Sequence, residues 1–139
     1  MTGLLVLTAV LLLAAAFGLY RRRSDGRVRD ITPEVTVDRL TATQLGSELG
    51  DRATLVQFSS AFCAPCRATR VLLADVADTV PGVTHAELDA EANLDLVREL
   101  NITRTPTVLV LDADGRVRNR AVGLPRRTDL LAALGAVVS

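Results

Sequence analysis

From Glu34 to the end of the chain, short apolar runs of strand length alternate with stretches whose apolar residues recur every three to four positions. VTVDRL reads as a strand. TATQLGSELG reads as a helix that Thr41 or Thr43 caps and that carries Leu45 and Leu49 four apart. ATLVQFSS, with Val56 and Phe58 on one face, reads as a strand buried in a sheet. ATRVLLADVADTV sets Leu72, Val76 and Val80 at helical spacing and stops at Pro81-Gly82. VTHAELDA is a strand pattern, NLDLVRELN a helix, TVLVLDADGRVRNRAVG a hairpin turning at Asp114-Gly115, and TDLLAALGAVV a final helix. Strands that alternate with helices in this way predict an α/β fold: a mostly parallel sheet with helices on both faces and an antiparallel hairpin at its edge. With 139 residues, 49% of them hydrophobic, the chain has material for one core.

The amino-terminal stretch obeys different physics. Gly3 to Leu19 reads GLLVLTAVLLLAAAFGL, 17 residues without a charge. As a helix it spans about 25 Å, short but sufficient for a bilayer. It has no polar face apart from Thr8, which argues against a buried core helix. A cleaved secretory signal wants basic residues ahead of the apolar run, and only Met1 and Thr2 precede it, although the AAA at 14–16 keeps a cleavage site open. The expectation is a retained, single-pass membrane anchor. Arg21, Arg22, Arg23, Arg27 and Arg29 follow the span, so the positive-inside rule puts the carboxyl-terminal domain on the cytoplasmic side, with the extracytoplasmic placement as the alternative. SDGRVRDITP, residues 24–33, is polar, holds Gly and Pro, has no apolar period and reads as a linker.

Charge names no partner. The chain has 16 basic and 16 acidic residues, every basic one an Arg, and aromatics make up 3%. Five of the arginines belong to the membrane flank, so no footprint for nucleic acid is left.

The chemistry is concentrated in Cys63-Ala64-Pro65-Cys66, which holds the chain's two cysteines at a strand-to-helix junction. Unpaired N–H groups at a helix start stabilise an anion, so a thiol at Cys63 ionises more readily than a free one. Pro65 in the first turn sacrifices no helical hydrogen bond, and Cys66 one turn on reaches back to Cys63. Arg67 adds a cation beside the pair. Other readings stand beside this one. Zinc usually takes four Cys or His ligands, and this chain has two Cys and one His, His85, which fits an ordinary strand residue better. A structural disulfide across so short a loop constrains little of the unfolded chain. Two inert buried cysteines are the third reading, opposed by their place and by the proline between them.

The chain resembles the thioredoxin family over Glu34–Ser139, on four features in order. Val56-Gln57-Phe58 stands before the motif; Phe62-Cys63-Ala64-Pro65-Cys66-Arg67 is similar to the family's Trp-Cys-Gly-Pro-Cys-Lys; Thr105-Pro106-Thr107 resembles its cis-proline segment; Val122-Gly123 resembles its late glycine. The resemblance implies a thioredoxin-like domain over 34–139, after an anchor and basic flank over 1–23 and the linker over 24–33. It implies thiol–disulfide exchange by Cys63 and Cys66, with a protein or small-molecule disulfide as substrate and an electron donor or acceptor as partner. It implies no cofactor and no metal, since the two sulfurs carry the chemistry. Phe62, Pro65, Thr105 and Pro106 become the substrate-binding residues, with a cis bond before Pro106 that its residue type alone does not imply. Without the resemblance, Pro106 reads as a strand-start proline.

Three departures bear on the chemistry. Gln57 stands where the family commonly carries a buried Asp that takes a proton from the second cysteine, and Gln cannot accept one at neutral pH. Phe62 replaces Trp and loses the indole donor. Ala64 replaces Gly. A specialised or slower oxidoreductase is the expectation, and a non-catalytic binding or redox-sensing module tethered to the membrane is the alternative.

Overall fold

The structure is a computed structural model and describes residues 1–30 and 37–139. Helix α1 runs Thr2–Ser24, strand β1 Val28–Asp30, α2 Ala42–Leu45, β2 Ala53–Ser59, α3 Ala64–Thr79, β3 Val83–Asp89, α4 Leu94–Glu99, β4 Thr107–Asp112, β5 Val117–Val122 and α5 Arg127–Val138. The strands form one sheet in the order β1-β5-β4-β2-β3.

The two central strands are apolar because both of their faces are covered. Every residue of β2 is buried, and its alternation deals Val56 and Phe58 to one face and Ala53 and Leu55 to the other. Its neighbour β4 does the same with Leu109 and Leu111 against Val108 and Val110. On the first face Leu45 of α2 and Leu96 of α4 close the core. On the second, Leu73 and Val76 of α3 pack with Leu130, Ala133 and Leu134 of α5. The α/β arrangement with helices on both faces is therefore as expected.

The sheet is mixed, however, and the expectation of a mostly parallel one is corrected. Among the described residues only β2 and β3 pair in parallel; β2/β4, β4/β5 and β1/β5 are antiparallel. Length explains it. Helix α3, with 16 residues, rises about 24 Å and carries the chain back along a seven-residue strand of about 23 Å. Helix α4 has six residues and rises about 9 Å, less than half the strand length, and the chain stays at the end where β3 stops. Strand β4 then starts where β3 stops: Ser59 faces Asp89 on one side of β2 and Phe58 faces Thr107 on the other. The hairpin turns at Asp114-Gly115 as expected, with Gly115 at φ 83 and an imagined Cβ 2.2 Å from the Leu40 carbonyl oxygen. It is not the sheet's edge, since β1 pairs outside β5.

Two further differences concern the start of the domain. Part of the segment read as a linker is a strand, β1, held by Val28 opposite Ala121 and Arg29 opposite Arg120. The strand expected in VTVDRL lies partly outside the described residues; its remainder contributes a single bridge, Arg39 to Arg116. Helix α2 is one turn: Thr41 and Gln44 form a capping box, and Gly46 in the left-handed region ends it before Leu49. Helix α1 has no buried residue and is long and apolar enough to cross a membrane, a test that a signal sequence also passes.

Candidate active site

Strand β2 ends at Ser59 and the chain turns over four residues into α3, with Cys63 as its N-cap. Phe62 takes the strained position in that turn. It holds φ 59, a left-handed conformation that a bulky side chain adopts only at a cost of roughly 1–3 kcal/mol, and its ring is fully exposed beside Cys63. Pro65 sits in the first turn, as anticipated, and is exposed.

Cys63 and Cys66 are joined, with S–S 2.10 Å and Cα–Cα 5.2 Å. The two sulfurs differ in access: Cys63 is half-buried, whereas Cys66 is 2% exposed. The Cys63 sulfur also faces two donors. The Cys66 backbone N–H points at it at 3.2 Å and the Thr105 hydroxyl at 3.9 Å, and Thr105 Oγ1 is 2.7 Å from Ser60 Oγ. On reduction these donors and the start of α3 face the same sulfur, and they favour a negative charge on it. The Thr105-Pro106 bond is cis. It brings Thr105 against Cys63 across 42 residues, with Pro106 buried behind it and its carbonyl accepting from the Gly123 N–H at 2.8 Å.

Gln57 lies behind the disulfide, wholly buried. Its Nε2 donates to the Cys66 carbonyl at 2.8 Å and to Ser59 Oγ at 2.9 Å. A carbonyl only accepts, so the amide orientation is fixed with Oε1 turned away, 3.3 Å from His85 Nε2. Oε1 also only accepts, so His85 carries a proton on Nε2 in that contact. His85 was read as an ordinary strand residue, and its contact with Gln57 is new. So are the Ser60–Thr105 hydroxyl pair and Ser59. The Thr105 and His85 contacts left no signal in local sequence, because each partner arrives from another strand or loop, whereas Ser59 lies two residues from Gln57 on β2.

Burial holds the His85 pKa below its ordinary 6.5, assisted by the Arg70 charge and opposed by Glu87. Glu87 is held below its ordinary 4.5 by its hydrogen bond with Arg70. Both shifts work in one direction. A histidine kept neutral in the fold contributes nothing unfavourable above pH 6.5 and destabilises as pH falls towards its lowered value, because the unfolded chain takes the proton first. Glu87 adds a second loss below pH 4.5. Urea midpoints measured from pH 7.5 to 3.5 therefore fall with acid, and His85→Gln removes most of the slope above pH 5 while leaving the loss below pH 4.5.

Among the described residues no group of three or more His, Cys, Asp or Glu side chains is gathered to hold a metal ion. Exposed Arg67 stands outside the pair. A strand, a tight turn and a helix that caps itself on a reactive sulfur, opposite a cis proline, make a redox-active architecture, and sequence comparison agrees: the family model described as Thioredoxin matches residues 36–136.

The chain belongs to the thioredoxin family.

Among curated proteins it is similar to the bifunctional thioredoxin reductase/thioredoxin of Mycobacterium leprae, 29% identical over 83% of this chain and 24% of that protein. It is also similar to Thioredoxin-2 of Pyricularia oryzae, 29% identical over 68% of this chain and 56% of that one. The chain thus spans about a quarter and about half of the lengths of these two relatives. Thioredoxin of Alicyclobacillus acidocaldarius is 32% identical over 64% of this chain and 85% of that one. Among solved structures, spinach chloroplast thioredoxin F superposes with TM-score 0.57 at 27% identity, over 65% of this chain and 80% of the other. A thioredoxin variant from Halobacterium salinarum shares the fold at TM-score 0.59 and 20% identity, over 64% and 77%. In this thioredoxin-family chain the expected catalytic pair, Cys63 and Cys66, is brought together with Phe62, Pro65, Thr105 and Pro106 at one end of the sheet.

Proposed function

We propose that this thioredoxin-family protein is a membrane-anchored thiol–disulfide oxidoreductase. The observation that carries the reading is the asymmetry of the pair: a reachable sulfur that caps α3 and a buried one bonded to it. In the reduced protein the Cys63 thiolate attacks one sulfur of a substrate disulfide. A Cys63–substrate disulfide forms and the other substrate sulfur leaves as a thiolate. Cys66, after losing its proton, attacks Cys63 Sγ; the intramolecular disulfide forms and the second substrate thiolate leaves. Two electrons pass from the dithiol to the substrate, and a donor dithiol restores the enzyme by the reverse exchange. Phe62 and Pro65 beside Cys63, with Thr105 opposite, form the surface that receives the substrate chain, and buried Pro106 backs Thr105.

The anchor is α1, and the arginines after it support a cytoplasmic domain, where reduction of substrates is the natural direction. Detergent-solubilised full-length protein should reduce insulin with dithiothreitol as the terminal donor, and Cys63→Ser should bring the rate down to that of dithiothreitol alone. Equal rates for both proteins overturn the activity and leave the tethered binding module. In intact cells an impermeant maleimide should reach Cys63 only after lysis; labelling before lysis reverses the orientation.

A further inference from the structure

The apolar helix is fastened to the domain without slack. Only Asp25, Gly26 and Arg27 separate α1 from β1. Both terminal nitrogens of Arg104 donate to the Asp25 carboxylate, at 3.2 and 3.4 Å. The Gly26 N–H donates to the Val122 carbonyl at 2.7 Å. Gly26 holds φ 77 and is seated so tightly that an added Cβ would lie 2.0 Å from the Leu124 carbonyl oxygen.

The place of this fastening is the active-site end of the sheet. Phe58 faces Thr107 and Thr107 faces Val122, so the ends of β2, β4 and β5 lie level, and α1 leaves from that level next to Val122. Arg104, which holds Asp25, directly precedes Thr105, whose hydroxyl approaches Cys63. Three strand spacings separate β2 from β1, which puts the disulfide on the order of 15–20 Å from the helix end. No residue of α1 is buried, so the helix projects from the domain and does not lie along it. Tyr20 to Ser24 add only about 8 Å of helix beyond the apolar stretch.

We propose that α1 and its Asp25–Gly26 fastening hold the Cys63–Cys66 face against the bilayer surface, so that the physiological partner is a cysteine pair displayed at headgroup depth by another membrane-bound protein. The proposal rests on α1 being a retained anchor and on the exchange activity proposed above. The surface at that end suits the location. Phe62 and Leu124, 107% and 45% exposed, are apolar groups beside Cys63 and Gly123, and aromatic side chains favour the membrane interface. Arg21, Arg22 and Arg23 end the helix and attract anionic headgroups. A soluble globular substrate of 100 residues, with a radius of gyration of about 13 Å, does not fit a gap of about 8 Å. In the exchange itself the reduced Cys63–Cys66 pair is oxidised, the partner's disulfide is reduced by the same two electrons, and the partner's two thiolates take up protons from water.

The test uses the full chain in vesicles of phosphatidylcholine and phosphatidylglycerol, recovered by flotation, with the same protein in detergent alongside. One probe is a single-span peptide with a disulfide loop at headgroup level. The others are the same loop raised on a helical spacer of roughly 40 Å and soluble insulin. In vesicles the headgroup loop should be reduced at least about tenfold faster than the raised loop and insulin, whereas in detergent the three should react alike. A flexible Gly/Ser insert of about 20 residues between Ser24 and Asp25, with a reach of about 25 Å, should abolish the preference without slowing the detergent reaction. Asp25→Ala should weaken the preference. Equal rates for all probes in vesicles overturn the proposal while flotation and insulin turnover in detergent stand. Failure to float, or failure to reduce insulin in detergent, overturns it together with the anchor or the activity respectively.

Discussion

Cys66→Ser stalls the protein as a covalent adduct. Its Cys63 still meets a substrate disulfide and forms the mixed disulfide, but a serine hydroxyl does not displace a thiolate at neutral pH, so release fails and turnover drops by at least about a hundredfold. Intact mass after incubation with a disulfide peptide should show one half-peptide per protein for Cys66→Ser and none for Cys63→Ser. The asymmetry follows from burial: Cys66, 2% exposed on the inner face of α3, reaches only the sulfur three residues away, whereas Cys63 caps the helix at the surface. Iodoacetamide should likewise modify Cys63 before Cys66 in the reduced wild type. An adduct on Cys63→Ser and none on Cys66→Ser would exchange the two roles.

Gln57→Glu puts an acid of nearly the same shape under the second cysteine. The amide it replaces is wholly buried and donates two hydrogen bonds, to the Cys66 carbonyl and Ser59. An ionised carboxylate has no proton to donate and would face the carbonyl oxygen with a negative charge, so burial raises its pKa and the fold takes it protonated. The sign of the pH dependence is then opposite to that of His85. The variant approaches wild-type stability below the ordinary glutamate pKa and loses about 2–4 kcal/mol as pH rises to 8. Urea unfolding at pH 5 and pH 8 measures this. The same carboxyl group, once ionised, can take the proton from Cys66 that Gln57 cannot, so stopped-flow release of the mixed disulfide should accelerate near neutral pH. A release rate that is unchanged or slower shows that water or another group already removes that proton.

What could be read from the sequence was what depends on neighbours along the chain. Helix α3 follows from Pro65, the apolar spacing of Leu72, Val76 and Val80, and the stop at Pro81-Gly82, although the structure buries Leu73 fully and Leu72 and Val80 only in part; β2 and β4 follow from their mainly apolar runs. Direction is not legible, since alternation suggests crossovers, whereas the connection through the short α4 stays at one end of the sheet and β4 runs antiparallel to β2. Strand β1 carries Arg and Asp in its three residues and has no apolar period; β5 and the Gly26 turn make it a strand. At the site, the cysteines announce themselves by spacing, whereas the Thr105 hydroxyl reaches Cys63 only through the fold, and His85 reaches Gln57 only because β3 lies beside β2.

The double-sided burial of β2 and β4 has a further cost outside the native state. ATLVQFS carries no charge, and TVLVLD carries none before Asp112, so each is a segment of high β-propensity that would stack on other copies if left uncovered. Charges stand at their margins: Asp51 and Arg52 before β2, Arg104 and Asp112 at the two ends of β4. These act as gatekeepers that discourage intermolecular pairing. In the folded sheet neither strand is an edge, because β3 covers one side and β5 with β1 covers the other. Loss of β3 or α3 during unfolding would uncover β2, so intermolecular pairing is expected to begin at the strand that leads into the cysteine pair.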